Sequence, residues 1–174
     1  MDAQHPCRKK LRLEGYDYAR CGAYFVTICT KERQMLVWKG VGANCVRPGA
    51  APPLSPMGEV VRREILRLDE IYEEVQVENY CIMPNHVHLL LMIQPDGSGR
   101  TQFAPTLSRV VKQFKGAVTK RIGKPVWQRL FFDRIVRNQE SYQEIWRYVD
   151  ENPLKWQLDD LCQELLEMIS GEKQ

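Results

Sequence analysis

Several things are missing from this sequence, and each absence narrows what the chain can be. Its six cysteines, Cys7, Cys21, Cys29, Cys45, Cys81 and Cys162, form no CxxC pair and no regular framework. That leaves no case for a disulfide scaffold or a cysteine zinc site, and it suits reduced thiols. No apolar run reaches the roughly 20 residues that a membrane-spanning helix needs, so no membrane partner is expected. The basic start, residues 1–13, lacks the apolar stretch and small-residue cleavage site of a secretory signal, and the expected home is the cytoplasm. Charge of neither sign dominates: a net charge of +3 permits a nucleic-acid partner without demanding one. No internal repeat is visible. Histidine is scarce, with three in 174 residues, and two of the three stand two positions apart.

What is present describes a globular chain. A hydrophobic fraction of 44%, spread evenly over 174 residues, predicts one domain spanning 1–174, with a basic N-terminal arm at 1–15, an irregular insertion at 40–56 and a C-terminal helix at 157–170. Tyr24-Phe25-Val26-Thr27-Ile28-Cys29-Thr30 is β-branched and aromatic, and reads as a strand. Over 57–74, Val60, Val61, Ile65, Leu68 and Ile71 recur at helical spacing. Two apolar segments, 75–83 and 86–93, flank Pro84-Asn85 and predict neighbouring strands joined by a tight turn. Gly, Pro and Ser break regular structure over 95–105. Leu107, Val111, Phe114, Val118 and Ile122 mark a further helix whose remaining surface is basic. The stretch 127–136 is aromatic and basic and suits an extended segment. A last apolar row, Tyr142, Ile145, Trp146 and Val149, follows Asn138 and Ser141, either of which suits a helix cap, and Ser141 with Glu144 fits a capping box. Pro153 sets that helix's end.

The chemistry sits in two of these elements. His86 and His88 occupy alternate positions of a strand and project from one face, close enough to share a metal ion. Two readings of a bare HxH are open: a pair of satisfied core histidines, or ligands. On the last helix Asn152 lies four residues beyond Tyr148 and shares its face, so it offers a third ligand. Two imidazoles and an amide oxygen, completed by water and phosphate oxygens, suit Mg²⁺ or Mn²⁺. The Tyr148 hydroxyl beside a polarised phosphate has the chemistry of a nucleophile; its alternative is a packing role beside Ile145 and Val149. Tyr142, six residues before Tyr148, lies about 120° from it on the helical wheel; it carries the same hydroxyl and stays open as an alternative, though its place in the first turn suits packing. Asp150 and Glu151 point off that row and read as solvated charges.

The string Tyr80-Cys81-Ile82-Met83-Pro84-Asn85-His86-Val87-His88-Leu89 resembles the His-hydrophobe-His signature of bacterial insertion-sequence transposases with one catalytic tyrosine, in particular the REP-associated branch. The resemblance continues through Trp127-Gln128-Arg129 and Arg137-Asn138 to Arg147-Tyr148-Val149-Asp150-Glu151-Asn152-Pro153. It implies an α+β, ferredoxin-like or RRM-like antiparallel sheet covered by helices. It also implies His86, His88 and Asn152 as metal ligands, Tyr148 as nucleophile, and a 5′-phosphotyrosine with a free 3′-hydroxyl as products of attack. The implied substrates are single-stranded or hairpin repeat DNA, met by a bacterial nucleoid-associated monomer or homodimer. Where relatives often carry a histidine after an acidic residue, this chain has Asp133-Arg134, which bears on substrate contacts rather than on the metal site.

Lys112, Lys115, Lys120, Arg121, Lys124, Arg129, Arg134 and Arg137 are the candidate DNA-binding residues, since they can track phosphates along one helix and its exit. A solvated face is the plainer account of such charges. Arg8-Lys9-Lys10 with Arg12 reads either as a hairpin-gripping arm or as a tail. Trp127 is either a base-stacking platform or core. Against the nuclease stands a domesticated nucleic-acid-binding protein that does not cut, and a third reading is a phosphodiesterase using water at the same metal. The complete set His86, His88, Tyr148 and Asn152 favours the nuclease, because a pure binder has no physical need for all four.

Overall fold

Period-two alternation sends every second residue of a strand to the same face of its sheet, and in this chain the two faces meet different partners. A computed structural model of the chain describes residues 20–39, 54–95 and 106–156. Its strands are β1 (Gly22–Cys29), β2 (Val75–Ile82), β3 (His86–Ile93) and β4 (Phe132–Val136). Its helices are α1 (Pro56–Leu66), α2 (Leu68–Ile71), α3 (Leu107–Ile122) and α4 (Gln139–Glu151). The four strands form one sheet in the order β2-β3-β1-β4, and every neighbouring pair is antiparallel. Helices α1 and α2 connect β1 to β2, and α3 connects β3 to β4, the ferredoxin-like arrangement of two interleaved βαβ units. The expected fold class is borne out.

Tyr24, Val26 and Ile28 of β1 join Val87, Leu89 and Leu91 of β3 on one face, where they pack against Val61 and Ile65 of α1 and Val110, Phe114 and Val118 of α3. Leu90 of β3 and Cys81 of β2 belong to the other face and meet Ile145 and Val149 of α4. The sheet therefore lies between two unequal helical layers, and β3 is apolar on both sides, as a central strand must be. Between α1 and α3, the buried Glu64 carboxylate bonds Arg67 at 3.3 Å and also contacts Arg121. Close approach governs the start of α1. A Cβ on Gly58 would collide with the Val37 carbonyl oxygen.

Local boundaries differ from expectation at three places. The helix predicted over 57–74 is two helices, since Arg67 takes ψ −11 between α1 and α2. The cap of α4 is Asn138, whose side chain accepts the Ser141 N–H at 2.8 Å, so Ser141 lies inside the helix and is not its capping box. Of the segment 127–136, only the last five residues form a strand, while Trp127 meets Thr30 in an isolated bridge. The expected arm at 1–15 and the C-terminal helix at 157–170 lie outside the described residues, as does most of the insertion at 40–56 and of the loop at 95–105. The ends of that insertion meet where Trp38 and Leu54 bridge.

Candidate functional site

A turn of two residues positions the histidines. Pro84 and Asn85 form the turn between Met83, which follows β2, and His86, which opens β3; the Met83 N–H donates to the His86 carbonyl at 2.9 Å, and the Asn85 carbonyl accepts the Thr30 N–H at 2.8 Å. His86 and His88 then share a face at the start of β3, both buried, with their Nε2 atoms 3.0 Å apart. The Nδ1 of His86 lies 2.7 Å from the Asn85 side-chain oxygen, an acceptor, so Nδ1 carries the proton and Nε2 keeps its lone pair. The Nδ1 of His88 lies 2.8 Å from the Thr27 hydroxyl, which can donate or accept. When Thr27 accepts, two lone pairs face each other across 3.0 Å, an arrangement that a shared cation relieves. Burial, assisted by the charge of Arg33, pushes the His86 imidazole down to about 3, so it stays neutral and able to ligate at ordinary pH.

Helix α4 closes the site from above. The Tyr148 hydroxyl is 3.4 Å from His88 Nε2, and the Tyr148 ring meets both His88 and Phe25 edge-on. Phe25 in turn stacks on His88 with ring centres 5.1 Å apart. The Trp156 ring lies 6.0 Å from that of His86. Asn152 stands four residues from Tyr148 and four from Trp156. It is buried, and among the described residues its side-chain oxygen has no hydrogen-bond partner. An orphaned buried carbonyl costs about 1–3 kcal/mol, and a residue flanked on both sides by contacts to the histidines is well placed to regain that as a ligand. No group of three or more His, Cys, Asp or Glu gathers among the described residues. The donor set is two imidazoles and an amide, which fits a divalent cation that also takes water and phosphate oxygens.

The sequence pattern of the IS200-like transposases matches residues 59–152, more than half of the chain and a span that contains both histidines, Tyr148 and Asn152. The chain belongs to the IS200-like transposase family. A protein of Haemophilus influenzae with no assigned function is 28% identical over 173 residues, covering 88% of this chain and 92% of its own. Another from the same organism, provisionally named a REP-associated tyrosine transposase, is 28% identical over 83 residues, covering 43% of this chain and 47% of its own. A solved structure of a REP-associated tyrosine transposase bound to a REP hairpin shares the fold, with a TM-score of 0.59 at 20% identity over 83% of this chain and 74% of that one. The resemblance drawn from the motif is thus borne out at the level of the family. No helix among the described residues of this transposase-family chain is long and apolar enough to cross a membrane.

The candidate DNA-binding residues of the chain are divided by the sheet. Lys112, Lys120 and Lys124 are exposed on or just beyond α3, which packs on the face away from the histidines. Lys115 donates to the carbonyls of Gln128 and Arg129 at 2.6 and 2.9 Å, and Arg121 contacts Glu64, so both serve the fold. Arg129, Arg134 and Arg137 are exposed around β4. Trp127 is core, buried against Phe114, and stacks no base. The Tyr142 hydroxyl donates to Glu78 at 2.9 Å and turns away from the histidines; burial and that carboxylate push it up to about 12. Asp150, expected as a solvated charge, accepts from the Asn79 amide at 2.9 Å and helps dock α4 on β2. Sequence reasoning missed Phe25, Thr27, Asn85, Trp156 and Arg33. A hydroxyl midway along an apolar strand was the available signal for Thr27, while the others depend on strand register and helix placement.

Proposed function

We propose that this chain is a metal-dependent, single-tyrosine DNA endonuclease and strand transferase acting on single-stranded or hairpin DNA. One observation carries the reading: the Tyr148 hydroxyl stands 3.4 Å from a buried imidazole whose Nε2 lies 3.0 Å from a second, with an amide oxygen that has no partner among the described residues one helical turn along. His86, His88 and Asn152 would hold the cation, which supplies Lewis acidity to a phosphate oxygen.

The residues of the chain do the rest. Thr27 and Asn85 fix the imidazole planes through their Nδ1 atoms. Tyr148 is exposed to the extent of 45%, so a strand can reach it and its proton can pass to water. Its oxygen bonds to phosphorus, the bond from phosphorus to the 3′ oxygen breaks, and that oxygen leaves as a hydroxyl after taking a proton. Attack of a 3′-hydroxyl on the 5′-phosphotyrosine reverses the step and rejoins a strand, which is why one tyrosine suffices for cutting and joining.

Labelled single-stranded hairpin DNA from the flanks of the chain's own gene, incubated with protein and Mn²⁺ or Mg²⁺, should be nicked. His86→Ala should abolish nicking while sparing most of the DNA binding. Tight metal-dependent binding with no nicking across varied hairpins would instead support a domesticated binding protein.

A further inference from the structure

The α4 layer covers only part of its sheet face. α4 packs mainly on β2 and β3 and reaches β1 at Phe25, whose ring meets Tyr148, while Phe132 and Arg134 of β4 stay exposed beyond it. Cα partners in antiparallel strands send their side chains to the same face. Phe132 is opposite Thr27, whose hydroxyl bonds His88, and Arg134 is opposite Phe25, which stacks on His88 and touches Tyr148. Phe132 and Arg134 therefore belong to the face that carries the histidines. Their neighbours Phe131 and Ile135 pack into the opposite core, which fixes the alternation. Phe132 is 47% exposed, an aromatic ring on an edge strand that belongs to neither hydrophobic cluster of the described residues. Arg134 is exposed and makes no ion pair among the described residues. Asp133 faces the other way, opposite Val26 of the core, so the exposed part of β4 on this face carries an arginine and an aromatic side chain without a carboxylate.

We propose that Phe132 and Arg134 form a nucleotide subsite, in which the Phe132 ring stacks the base flanking the scissile phosphate and Arg134 pairs with a neighbouring phosphate. The assignment rests on the reading of Tyr148 as nucleophile. At about 4.8 Å between strands, β4 lies two strands from His88, on the order of 10 Å from it and within a nucleotide or two of the phosphate that Tyr148 would attack. An aromatic face paired with a free guanidinium matches single-stranded DNA, in which bases are unstacked and phosphates unpaired. A duplex keeps its bases stacked on each other and has nothing to offer Phe132. The subsite is sequence-tolerant, because every base has a π-face.

Fluorescence anisotropy with a labelled 20-residue oligothymidylate tests the subsite without requiring cleavage. Phe132→Ala should weaken binding on the order of 5- to 100-fold, Phe132→Tyr should restore it, and a blunt duplex should bind both variants equally. Arg134→Gln should lower the slope of log affinity against log salt by about 0.7, one phosphate's worth on a single strand. In the nicking assay, an abasic site beside the scissile phosphate should raise KM for the unmodified chain and remove its difference from Phe132→Ala. Phe132→Leu serves as a second variant if alanine impairs folding. Unchanged oligothymidylate affinity in Phe132→Ala or Phe132→Leu would overturn the subsite. Absence of nicking by the unmodified chain, with the Phe132 effect on binding intact, would overturn the Tyr148 reading instead.

Discussion

Replacing Asn152 with leucine should move stability in opposite directions with and without metal. In chelator the side-chain oxygen is a buried acceptor without a described partner, and removing it relieves about 1–3 kcal/mol. For a chain of this length 1 kcal/mol is worth roughly 2–4 °C in Tm, so Asn152→Leu should melt roughly 2–12 °C above the unmodified chain. With Mn²⁺ at about 100 times its Kd, the unmodified chain gains about 2.7 kcal/mol, or roughly 5–11 °C. The variant, short of one ligand, should lose most of that gain. Scanning fluorimetry in EDTA and in Mn²⁺ reads both numbers. Lower stability of Asn152→Leu in EDTA, together with an undiminished response to Mn²⁺, would refute the assignment of this amide as a ligand and return it to a packing role.

Two further outcomes follow from the same geometry. His86 has an imidazole pushed down from 6.5 to about 3 in the fold, so its neutral form is the one the fold favours. The stability it contributes is complete above pH 6.5 and is lost as pH falls towards 3; metal-free urea midpoints should drop between pH 7 and pH 4.5, and less so in His86→Leu. Gly58→Ala should destabilise by about 1–3 kcal/mol, because the new Cβ meets the Val37 carbonyl oxygen at the start of α1. Its nicking rate per folded molecule should stay unchanged, as chemical denaturation run beside the nicking assay would show.

Much of the site was legible because its parts are related by short offsets. A spacing of two in a strand puts His86 and His88 together, and a spacing of four on a helix puts Tyr148 and Asn152 together. Strands β1, β2 and β3 and helices α3 and α4 were legible for the same reason, since each carries its own period. Relations between elements were not. Nothing in the residues 22–29 says that Thr27 lies opposite His88 rather than one register away, or that β1 sits between β3 and β4. Nothing local places α4 on the face opposite α3, and that placement separates the lysines of α3 from the histidines. The break at Arg67 was missed, and the choice between Asn138 and Ser141 as cap stayed open, because both had suitable chemistry and packing decided between them.

The central claim is that His86, His88, Asn152 and Tyr148 act as one centre, and covalent capture tests it most directly. The chain would be incubated with hairpin DNA and Mn²⁺, denatured, digested with protease and nuclease, and analysed by mass spectrometry. A nucleotide phosphate should be found on the peptide containing Tyr148, formed only with metal and absent in Tyr148→Phe and His88→Ala. Attachment at Tyr142, or a nick made with no covalent peptide at any time point, would contradict it.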